Sequence, residues 1–240
     1  MPDASLPGVH HITALSGDAQ ENLDFYAGVL GLRRVKTTVN FDDPTTHHLY
    51  YGDASGHPGT TLTFFPWPQA TSGRGGAGMV RTVTFAVPED ALSGWRDHLD
   101  AHGIEPELKT RFGEPRLHFS GPSGLPLALV ATDAAGDTAP WTNGPVPAGL
   151  AIRGLHAPVL PVFADDRTPE LFTDVSGCTR TGAVHDPVRH PGPAPGVRPP
   201  ADLLALAQPP SGPMPRGPVP HVPFRPPSAA AQPARQSPPR

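Results

Sequence analysis

Proline is distributed so unevenly along this chain that it divides it in two. Residues 187–240 hold 18 of the 35 prolines. Proline has a fixed φ and no amide hydrogen, so it breaks helix interiors and cannot donate to a central strand. No packed element of ordinary length is expected in 187–240, which reads as a proline-rich, degraded or disordered stretch. The first 150 residues have ordinary composition and are long enough to bury a core. Charge divides in the same place. Residues 187–240 carry six Arg and one Asp, net +5, against −9 for the remainder. The whole chain is at −4, without the basic field that would suggest a nucleic-acid partner.

One cysteine, Cys178, excludes an internal disulfide framework and a cysteine-based zinc site. The first residues lack the basic and apolar regions of a signal peptide. No apolar run approaches the ~20 residues that span a bilayer. A cytoplasmic protein with no membrane partner is the expectation.

Hydrophobic periodicity gives an ordered set of elements. Residues 7–15 (PGVHHITAL) read as a strand. Asp18 can cap a helix that runs to about Leu30, with Leu23, Tyr26, Ala27 and Leu30 on one face. Gly31 is a natural stop. Three strand-like runs follow: RRVKTTVNF, HHLYYGD and TTLTFFP. The pattern returns at MVRTVTFAVP (79–88), with a helix over 91–104 and a hairpin over 113–132. A looser third copy begins at 153 and a broken fourth at 217. The layout predicts an α+β fold of paired βαβββ modules. Two modules fill 7–133, a partial third fills 148–186, and 187–240 holds the fourth. Pro158, Pro161, Pro220 and Pro223 sit at strand positions of the last two copies and argue against well-formed sheets there.

The order and wording of PGVHHITAL, NLDFYAGVLGLRRVKTTVNFDDP, HHLYYGD, PGTTLTFFPWP, TFAVP, RFGEP and GLPLALVAT resemble the vicinal oxygen chelate superfamily. Within it they are similar to the branch of ring-cleaving dioxygenases. The glyoxalase and bleomycin-resistance proteins share this fold. The resemblance implies opening of a hydroquinone- or catechol-type ring by dioxygen, with a mononuclear Fe(II), or sometimes Mn(II). It implies two His and one Glu as metal ligands, of which His11 and His221 match this sequence. The Glu has no counterpart, since the last acidic residue is Asp202. Loss of a charged ligand should weaken metal binding, so an inactive chain is one expectation. A carboxylate supplied by a second subunit of a homo-oligomer is another, and a glyoxalase-like or resistance protein with a different metal is a third.

His10 and His11 are adjacent and should point to opposite faces of a strand. Only one of them should then be a ligand; the resemblance implies His11, which leaves His10 and Thr13 as the expected wall of the substrate pocket, where an imidazole could take a hydroxyl proton. Other features have plainer readings. His47 and His48 open a strand-like run, and His48 reads as structural, with no partner spacing. Asp42 and Asp43 precede Pro44 in a common turn. Phe64, Phe65 and Trp67 read as strand residues of a core. His156 aligns with His10 rather than His11 and is not proposed as a ligand. GRGGAG (73–78) lacks the Lys-Ser/Thr of a phosphate loop and reads as a linker.

Overall fold

A computed structural model describes residues 8–69, 79–111, 113–132, 139–163, 168, 170, 188–190, 201–206 and 223. The first module opens with β1 (His11–Ser16) and α1 (Ala19–Leu23). Asp18 caps α1 through its carboxylate, which accepts the amides of Gln20 and Glu21. The helix does not run on as a plain α-helix to Leu30. Asp24–Val29 is wound wider, as a π-helix, and Leu30 donates to the carbonyl of Phe25 five residues back. Gly31 then turns the chain at φ +66. A Cβ there would meet the Val146 side chain at 2.6 Å, so conformation and space both call for glycine. Three strands complete the module: β2 (Arg33–Val39), β3 (His47–Gly52) and β4 (Thr61–Pro66).

These strands lie in the order β1-β4-β3-β2, with β1 parallel to β4 and the remaining neighbours antiparallel. The second module repeats the arrangement. β5 (Val83–Val87), α2 (Leu92–Ala101), β6 (Glu107–Arg111), β7 (Glu114–Ser120) and β8 (Pro126–Ala131) give the order β6-β7-β8-β5. β9 (Gly154–Leu155) adds to the free side of β5. β6 has no sequence signal, because ELKTR holds a single apolar residue, Leu108, and its first four residues are exposed.

Strand alternation separates the two faces of each sheet. In the first module Ile12, Ala14, Leu49, Tyr51, Leu62 and Phe64 are buried with Tyr26 and Leu30 of the helical segment. In the second, Val83, Phe85, Leu117, Leu127 and Leu129 join Trp95 and Leu99 of α2. Trp95 also donates its ring N–H to the carbonyl of Leu150 at 2.7 Å. One core cluster contains both sets.

The third copy forms more than the proline pattern suggests. β10 (Val159–Phe163) pairs in parallel with β12 (Ala201–Leu206), and β12 pairs antiparallel with β11 (Val188–His190). The sheet crosses the division expected at 186/187. Two local facts explain it. ADLLAL is a run without proline inside the proline-rich stretch. Pro161 is also placed harmlessly. Pro158 O accepts from Asp202 N on β12, whereas Val159 bonds Arg81 and Thr82 on the other side. Pro161 faces the same way as Val159, so β12 asks no amide of it.

Asp202 fixes β12 to the second module. Its carboxylate lies 2.8 Å from the guanidinium of Arg116 on β7, and both side chains are fully buried. Breaking such a pair leaves a charge without its partner. Asp202→Ala is expected to cost roughly 3 kcal/mol, read as a lowered midpoint of urea unfolding with an unchanged slope.

Candidate functional site

The face of the first sheet turned away from the helix carries His11 and Thr13 of β1. The strand register sets Thr61 beside His11, and Thr63 between Thr13 and Tyr50. Lys36 and Thr38 of β2 stand opposite Tyr50 and His48. The polar side chains of this face bond to one another. Thr63 Oγ1 donates to Thr13 Oγ1 at 3.0 Å, and His48 Nε2 lies 2.9 Å from Thr63 Oγ1. The Tyr50 hydroxyl lies 2.9 Å from His48 Nδ1. The His48 ring is held between those of Tyr50 and Phe65, with centroids 4.1 and 4.0 Å away. Burial raises the pKa of Tyr50, so its hydroxyl keeps its proton at neutral pH. His48 thus belongs to the face of His11 and is hydrogen-bonded within it. Its alternation with Tyr50 was readable in HHLYYG, but the partner Thr63 comes from another strand.

His10 and His11 do not diverge as a regular strand would require. Their Nδ1 atoms are 2.9 Å apart and their rings meet edge to face. The reason is that His10 precedes β1. Its amide donates to Pro223 O at 2.8 Å, and its carbonyl accepts from Gly59 at 2.7 Å. Strict alternation begins only at His11. Two Nδ1 atoms at this distance share one proton. When His11 carries it and donates to His10, the lone pair of His11 lies on Nε2, the arrangement of a metal-binding imidazole oriented by a second group.

The corresponding face of the second module has the same rows and different chemistry. Thr84, Ala128, His118 and Glu107 form one row, in register with the row Thr13, Thr63, Tyr50 and Lys36. Thr82, one step outside β5, stands where His11 stands in the first. Arg116 takes the row of His48 and is clamped by Glu114 and Asp202, each at 2.8 Å. His156 lies 3.3 Å from the same Glu114 oxygen. A cavity of about 890 Å³ opens beside this cluster, lined by Thr82, Lys109, Arg111, His118, Val159 and Leu204 among others. Burial, then the charges of Lys109 and Arg116, lowers the pKa of His118.

Among the described residues, no three His, Cys, Asp or Glu side chains converge as a metal site. The described residues alone therefore do not make a metal centre, although His11, backed by His10, has the form of one ligand. His221 lies outside the described residues.

Residues 8–129 match the model of the Glyoxalase/Bleomycin resistance protein/Dioxygenase superfamily. The chain belongs to this superfamily. Its relatives include proteins named as ring-cleaving dioxygenases. It is 44% identical over 183 residues to MhqO of Bacillus subtilis, named as a ring-cleaving dioxygenase, covering 76% of this chain and 58% of that protein. It is 38% identical over 154 residues to a chlorohydroquinone/hydroquinone 1,2-dioxygenase of Sphingobium indicum, covering 62% and 48%. A crystal structure described as a dioxygenase from Bacillus subtilis superposes with TM-score 0.88 at 39% identity, over 97% of this chain and 74% of that one. A maize glyoxalase I, 14% identical with TM-score 0.57, shares the fold. The chain spans about three-fifths or less of the length of the curated relatives it matches. No helix among the described residues is long and apolar enough to cross a membrane.

His118 yields a pH prediction for this member of the superfamily. A histidine whose folded pKa is lowered favours folding fully when neutral, above its unfolded pKa of about 6.5. That contribution is lost as pH falls through and below this value. The urea midpoint should drop between pH 7 and 5, and His118→Gln should remove part of the drop.

Proposed function

We propose that this chain serves the oxygen-dependent opening of a hydroquinone- or catechol-type ring, using Fe(II), or Mn(II) in its place, held in part by His11 and His221. The observation that carries the reading is the bond from the His10 amide to the Pro223 carbonyl, 2.8 Å long. Pro223 follows His221 by two residues, and two residues reach at most about 7 Å. A stretch more than 200 positions away in sequence thus meets the chain beside His11. The names of the relatives support the substrate class.

In this reading His11 and His221 would hold the ion, which would supply the redox chemistry that lets the diol react with dioxygen. The chain's own residues supply placement and proton handling. His11 would present Nε2, with its ring angle set by the Nδ1 contact to His10. His10 and Thr13 would line the diol, and His10, whose Nδ1 accepts from His11, would offer its Nε2–H to a substrate oxygen. The family's glutamate is not matched in these residues, and we assign its role to a carboxylate from a second subunit.

Anaerobic purification with added Fe(II), followed by metal analysis and oxygen uptake on methylhydroquinone and catechol, tests the proposal. Bound iron and uptake on one of the two diols are expected. His11→Ala should abolish both, and His10→Ala should lower iron affinity about 10–100-fold. Wild-type protein that takes up no iron, or iron binding unchanged in His11→Ala, overturns the reading.

A further inference from the structure

We propose that Tyr50, His48, Thr63 and Thr13 form a proton conduit across the polar face of the first sheet, from the Tyr50 hydroxyl to the strand position two residues from His11. The proposal rests on the ring-cleaving reading only for the molecule that supplies the proton. The four groups are linked by three successive contacts of 2.9, 2.9 and 3.0 Å. Its inner end is shielded from water, with Thr63 0% and Thr13 1% exposed. Tyr50, at the outer end, is only partly buried.

Every member can both donate and accept a hydrogen bond, which admits two arrangements. In one, Tyr50 donates to His48 Nδ1, His48 Nε2–H donates to Thr63, and Thr63 donates to Thr13. The Thr13 proton is then directed onward. In the other, each bond is reversed: Thr13 donates to Thr63, Thr63 to Nε2, and Nδ1–H to Tyr50, whose proton is directed to water. Passage between them moves one proton along the whole chain. A diol hydroxyl gives its proton to Thr13 Oγ1. The Thr13 proton passes to Thr63, that of Thr63 to His48 Nε2, that of Nδ1 to the Tyr50 oxygen, and that of Tyr50 to water. The four groups of the conduit stay neutral, the diol is left as its anion, the proton leaves with water, and His48 ends in its other tautomer. A histidine suits the middle of such a chain because its two nitrogens exchange roles.

The side-chain packing supports the same role. The Tyr50 and Phe65 rings, with centroids 4.1 and 4.0 Å from that of His48, restrict its rotation. The Lys36 ammonium, 5.6 Å from the centre of the Tyr50 ring, marks the outer end with positive charge. A proton leaving Tyr50 is thereby directed away from that side, toward water. The equivalent row of the second sheet has Ala128 in place of Thr63, so the chain has no counterpart there.

The test is imidazole nitrogen NMR of the full chain with labelled histidine. Wild-type His48 should show both ring nitrogens at shifts averaged between the protonated and unprotonated values. Thr63→Val should fix one tautomer, Tyr50→Phe should do so from the outer end, and Thr63→Ser should restore averaging. A single tautomer in the wild type, or averaging untouched by both Thr63→Val and Tyr50→Phe, overturns the conduit. A second measurement mixes anaerobic, iron-loaded protein with methylhydroquinone and a pH-indicator dye. Proton release should slow by about a hundredfold in Thr63→Val and recover in Thr63→Ser. Release unchanged in Thr63→Val overturns the conduit. Averaged His48 nitrogens with no diol-dependent release support the conduit and overturn the ring-cleaving reading instead.

Discussion

The parallel pairing of the first and last strands of each module sets the positions of all the chemistry. Its register joins Ile12 to Leu62 and Ala14 to Phe64, which puts their side chains on the helix side. With a strand period of two, the intervening residues His11, Thr13, Thr61 and Thr63 must face the other way. A slip of one residue would turn these three threonines and the histidine toward Tyr26 and expose the core. The hydrophobic demand of one face therefore decides which polar groups meet on the other. Tyr50 and His48 join them because Tyr51 and Leu49 are needed in the core.

This dependence explains how much of the molecule was legible in sequence. Strands with an apolar face could be read, as could the capped start of α1, because burial and capping leave local marks. β6 could not, since an edge strand with both sides near water has no pattern to show. The wide turn Asp24–Val29 keeps Tyr26 and Leu30 on the core side, so its apolar spacing resembles that of an α-helix. β12 was obscured by composition. Proline counted over a window says nothing about which way a given proline faces, and the orientation of Pro161 is what allows β10 to pair.

The candidate site divides along similar lines. His11 and Thr13 follow from alternation and from the family wording around them. The contact of His10 with His11 does not, because it depends on where β1 begins, and strand boundaries are set by bonds to Gly59 and Pro223 from other parts of the chain. His48 had a visible i, i+2 relation to Tyr50 but no visible partner. Its role becomes apparent only when β3 and β4 are set in register, so that Thr63 falls between it and Thr13.

The two modules show what a duplicated sheet can do with equivalent positions. In the second, the row of His48 holds Arg116, a permanent cation taken fully out of water. Such a charge is tolerated only while Glu114 and Asp202 are bonded to it, and any rearrangement would leave it uncompensated. That row is committed to holding β12 in place. In the first, the same row holds an imidazole between two hydroxyl-bearing partners. Reversing its hydrogen bonds creates no buried charge, and the two directions can be close in energy. Substituting one residue type at one register position separates a sheet that fastens a third module from a sheet free to exchange protons. The side bearing His11 is the one whose polar groups remain able to change state.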